Sequence, residues 1–130
     1  LGYGWLGIGG LLGIRYAGVI AGPTYDAMLH ALFLGFVLSM IVAHSLIIVP
    51  AIAGIQVPYH RYFYGPVVLL HASLILRIVG DLNLWRSMRQ WGGLLNVVAL
   101  LWFLLLLAVS ALRERKAGQD RLAASPPTVA

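Results

Sequence analysis

Asp26-Ala27-Met28-Leu29-His30-Ala31-Leu32-Phe33-Leu34-Gly35-Phe36-Val37-Leu38-Ser39-Met40-Ile41-Val42-Ala43-His44-Ser45-Leu46-Ile47-Ile48-Val49 is the stretch that decides the fold. After Asp26 its only titratable side chains are two histidines. Coiled at about 1.5 Å per residue it reaches roughly 36 Å, enough to cross the ~30 Å hydrocarbon core of a bilayer. Pro50 has no N–H and its ring clashes with the preceding turn, so the helix is expected to stop there.

Working outward, the same pattern recurs. Residues 66–84 form a second span that opens on Pro66, a favourable first-turn residue, and residues 91–112 form a third, interrupted only by Asn96 and Ser110. Residues 1–14 are apolar but only about 21 Å long as a helix. Gly9 and Gly13 stand there at the small-xxx-small spacing that lets helices pack closely. The chain therefore reads as an all-α transmembrane bundle of about four helices, the first one truncated. It is expected to be the C-terminal piece of a longer protein, with no basic region at its start to make a signal peptide. Between spans, Tyr59, Tyr62, Phe63 and Tyr64 suggest an aromatic belt at the water boundary. The tail, 113–130, is charged and then rich in Ala, Ser and Pro, and is expected to be solvated and disordered.

Composition agrees. Hydrophobic residues make up 61% of the 130 and charged residues 10%, too few charges to cover a water-facing surface. Four of the nine basic residues fall in the short run Arg113 to Arg121 and the sequence offers no basic face, which argues against nucleic-acid binding. Arg61, Arg113, Arg115, Lys116 and Arg121 lie on the side of the tail, against Arg15, Arg86 and Arg89 on the other, so the tail is expected to be cytoplasmic. Cysteine is absent, which removes thiolate ligation and leaves histidine as the main soft ligand.

His30, His44 and His71 fall inside the expected spans, where titratable groups are costly and commonly mark a site. Fourteen residues separate His30 from His44, which on a regular helix puts them about 40° apart around the axis and about 21 Å apart along it. That spacing resembles the way four-helix b-type cytochromes stack two haems. His44 near the end of one helix and His71 near the start of the next are expected at one depth, able to hold one haem iron or share a metal; His30 would then serve a second site. The plainer reading is that each imidazole donates to a backbone carbonyl and does nothing else. His60 reads as a loop surface residue. Met40 is a conceivable thioether ligand and better read as packing. Arg77 and Asp81, one turn apart, form an ion pair, unless Arg77 meets a haem propionate. Asp26 reads as an N-terminal helix charge and Asn96 as a helix-helix contact.

The run Tyr25 to His44, together with Leu69 to Arg77, resembles the NnrS family of polytopic membrane proteins, over roughly residues 20 to 100. The resemblance implies a twelve-helix protein of the bacterial inner membrane that contains haem and copper and acts in the response to nitric oxide. It implies His30, His44 and His71 as ligands of haem or metal, with missing N-terminal helices, the lipid bilayer and a diatomic gas as partners. The alternatives are a quinol-linked cytochrome or oxidase subunit, and a metal-free transporter or structural subunit. No catalytic residue is assigned.

Overall fold

The computed structural model describes residues 1–54 and 61–124. Every regular element among them is helical: α1 (Gly2–Arg15), α2 (Pro23–His30), a π-helical segment (Ala31–Leu38), α3 (Ser39–Ala53), a short 3-10 turn (Arg61–Phe63), α4 (Tyr64–Leu82) and α5 (Arg86–Ala124). The elements α2, π segment and α3 run on without a break, so the described residues make four helical rods. Three of them are long and apolar enough to cross a membrane: Pro23–Ile52, Arg61–Leu82 and Arg86–Asp120.

Several boundaries differ from those expected, each for a physical reason. Pro50 lies inside α3 instead of ending it. The missing N–H forfeits one helical bond without stopping the coil, which runs one more turn. It ends at Gly54, whose φ of 64° is cheap only for glycine and whose N–H bonds Pro50 O. The fourth rod continues past Leu112 to Ala124, because Ala111 to Ala124 is dominated by Ala, Leu, Arg, Glu, Lys and Gln, all strong helix formers. Phe63 belongs to the core and not to a belt: it is 4% exposed and meets Phe103 edge-on at 6.0 Å. Tyr62 and Tyr64 are exposed, whereas Tyr59 and His60 lie outside the described residues.

Packing sets the arrangement. The rod of α1 runs antiparallel to α2 and the π segment, with Gly2 beside Met40, Gly9 against Ala31 and Leu32, and Gly13 against Met28. Its anchor is Trp5, 8% exposed, which lies so close over Gly35 that a Cβ there would sit 2.5 Å from Trp5 Cγ. Helices α4 and α5 form an antiparallel hairpin in which Gly92 lets Arg77 backbone approach to within 2.7 Å of where a Cβ would be. Asn96 crosses this hairpin as expected, accepting a 2.6 Å hydrogen bond at Oδ1 from Ser73 Oγ, with both residues buried. Two apolar clusters result. Trp5, Ala27, Ala31, Leu74 and Ile78 tie α1, α2 and α4 together at one end. Val42, Phe63 and Phe103, flanked by Leu46 and Val67, tie α3, α4 and α5 together at the other.

Candidate functional site

The three intramembrane histidine candidates share one local geometry. Nδ1–H of His30 donates to Asp26 O at 2.7 Å, that of His44 to Met40 O at 2.7 Å, and that of His71 to Val67 O at 2.9 Å. A helix brings the carbonyl of residue i−4 beneath the side chain of residue i, so a ring nitrogen reaches it without strain. This bond is a donor role for Nδ1, which makes Nε2 the lone-pair acceptor in the neutral ring. It satisfies the plainer reading of these histidines. It is also the arrangement that fixes ring and tautomer for a metal bound at Nε2.

Their surroundings differ. His71 is partly buried, 6.4 Å ring to ring from Trp5, and its Nε2 is buried with no hydrogen-bond partner. His44 is exposed and lies in an open apolar groove of about 430 Å³ with Met40, Ile41, Ser45, Ile48 and Val49. His30 stands at the edge of a charged cluster, its Nδ1 3.9 Å from Asp26 Oδ1.

The rings are not disposed around their helices as the spacing suggested. The π segment between His30 and His44 inserts about one extra residue into the helical ladder, a lag of roughly 100°, which turns the expected 40° offset into about 140°. Nothing in hydropathy signals that insertion. His44 also turns away from His71. Val42 and Leu46, which pack towards Phe63 and Val67 of the neighbouring rod, lie roughly 160–200° around α3 from His44. By the same packing Val67 stands at the level of His44, and His71 is four residues, about 6 Å, farther along α4. His44 and His71 thus face different surroundings, the outer groove for His44 and the Trp5 side of the bundle for His71.

Arg77 is committed to protein partners. Its Nη2 donates to Asp26 Oδ2 at 2.8 Å, its Nε to Asp81 Oδ2 at 3.3 Å and its Nη1 to Arg89 O at 3.1 Å. The pair with Asp81 was legible from the i, i+4 spacing. Asp26 and Arg89 were not assigned to it, although both lie at the same end of their rods and a count of depths would have aligned them. Arg89 Nε lies 2.6 Å from Asp81 Oδ1, close enough for an ion pair even though the angle is not that of a straight hydrogen bond. Its Nη2 is 3.9 Å from Asp26 Oδ2.

Asp26, His30 and Asp81 can offer ligand atoms within 4.8 Å of one another, a grouping that by count fits a cation. Charge argues otherwise. Two guanidiniums already face the two carboxylates, and a divalent ion would have to displace them or leave an uncompensated positive charge in a low-dielectric setting. The cluster is a clasp joining α2, α4 and α5. Residues 1–112 match the family described as "Domain of unknown function (DUF8744)". No curated protein and no solved structure matches.

Proposed function

The chain belongs to the DUF8744 family, and we propose that it is a multi-pass protein of the bacterial inner membrane that binds haem and copper through histidine Nε2 in a nitric oxide or related redox-stress response. The observation that supports ligation is the buried, unpartnered Nε2 of His71, on a ring already held by Val67 O. A buried acceptor with no donor loses its hydration without compensation, and a metal is a natural partner for an imidazole lone pair so presented. His44 would hold a group from its outer groove. His30 is the weakest of the three because its neighbour Asp26 is drawn into the arginine clasp.

Bound haem with an open iron position takes up diatomic gases, whereas two axial histidines restrict it to electron transfer. This chain's own part is to fix the imidazole tautomer, to exclude water around His71 with Trp5, and to lock the rods with the clasp. Nitric oxide rests on the resemblance of Tyr25 to His44 and Leu69 to Arg77 to the NnrS family. So do the inner membrane and copper. The cytoplasmic tail follows from the arginine and lysine count.

A metal-free transporter or structural subunit is the second reading, favoured by the i−4 carbonyl bond that each ring already makes. The absorption spectrum of the purified full-length protein, with pyridine haemochrome quantification on wild type, His44→Ala and His71→Ala, separates the two. Haem in wild type that falls in His71→Ala supports ligation, and a spectrum with no haem band in wild type supports the metal-free reading.

A further inference from the structure

We propose that the cleft at the α4–α5 turn binds the phosphodiester headgroup of an anionic phospholipid. Arg77, Arg86, Arg89 and Gln90 line a cavity of about 260 Å³ there. Arg77 and Arg89 are balanced by Asp26 and Asp81, but Arg86 has no carboxylate partner among the described residues. Three guanidiniums against two carboxylates leave one positive charge, and a phosphodiester carries one negative charge. Guanidinium and phosphate match in planar, forked geometry, and the Gln90 amide adds a neutral donor at the same wall.

The surroundings select a lipid over a soluble anion. Trp85 and Trp91, next in the chain to Arg86 and Gln90, are 55% and 60% exposed, and Leu84 is 70% exposed. Indole rings favour the headgroup level of a bilayer, and exposed leucine offers acyl chains a surface. The cleft lies between helix ends on the face opposite the tail, so the headgroup it meets belongs to the outer leaflet. The site rests on the membrane placement proposed above and is independent of haem or copper.

The test uses the intact protein in nanodiscs of phosphatidylcholine with and without phosphatidylglycerol, with co-purifying lipid measured by mass spectrometry. Wild type is expected to retain phosphatidylglycerol over phosphatidylcholine, Arg86→Gln to retain about fivefold less, and Arg86→Lys to keep most of it. Gln90→Glu, which adds a negative charge to the wall, is expected to lower retention as well. Equal retention of both lipids by wild type, or unchanged retention in Arg86→Gln and Gln90→Glu, overturns the site while leaving the membrane reading intact. Displacement of phosphatidylglycerol by millimolar inorganic phosphate assigns the cleft to a soluble anion and overturns the lipid proposal. Failure of the folded protein to enter nanodiscs overturns the membrane reading and the site together.

Discussion

Replacing Asp81 with asparagine keeps the shape of the clasp and removes its buried negative charge. Asp81 is 0% exposed, with Arg89 Nε at 2.6 Å from one oxygen and Arg77 Nε at 3.3 Å from the other. Without it, two guanidiniums share Asp26 alone, 2.8 Å from Arg77 and 3.9 Å from Arg89. Removing one partner of a buried pair costs about 3–5 kcal/mol. The amide oxygen still accepts one hydrogen bond and Arg89 is 32% exposed, so Asp81→Asn is expected near the lower end, about 3 kcal/mol. Arg89→Gln is expected to cost less, about 1 kcal/mol, because water reaches its position and Asp81 keeps Arg77. A double-mutant cycle in detergent, followed by tryptophan fluorescence during chemical denaturation, should give a coupling of about 1–3 kcal/mol. Strict additivity, or a smaller loss for Asp81→Asn than for Arg89→Gln, would refute the clasp.

Three further substitutions probe the packing. Gly35→Ala drives a methyl into Trp5 and should destabilise by about 1–3 kcal/mol, with Trp5→Leu in the same chain restoring much of it; thermal melting in detergent reads both. Gly92→Ala meets Arg77 backbone, which cannot rotate away, so it should exceed the loss at Gly35 and also raise protease sensitivity at the α4–α5 turn. Ser73→Ala removes the donor to Asn96 Oδ1 and leaves a buried amide short of partners, a loss of about 1–3 kcal/mol by denaturation, larger than that of Ser110→Ala.

Hydropathy was enough to find the rods. A run such as Asp26 to Val49 has no stable fate except a buried or lipid-facing helix, and its length decides between them. Helix faces were harder to read. The π segment over Ala31–Leu38 costs nothing in hydrophobicity, yet it turns His44 away from His30, and Gly35 under Trp5 is the single local hint of an irregular crossing. Pro50 misled because a missing N–H weakens a helix without ending it when the following residues still coil. At the charged end, the pair Arg77 and Asp81 was visible because one turn of helix brings them together whatever the fold. Asp26 and Arg89 join them only through tertiary packing, across 51 residues in the case of Asp26. The tautomer of each histidine follows from its helix alone, whereas the burial of His71 Nε2, on a ring 6.4 Å from that of Trp5 on another rod, is set by tertiary packing.

The most direct measurement of the central claim is the iron and copper content of purified full-length protein, wild type against His71→Ala, with circular dichroism to show that helices persist in both. Ligation through His71 Nε2 predicts bound metal in wild type and a clear fall in an equally helical variant. Metal-free wild type, or identical metal content in the two proteins, would contradict it.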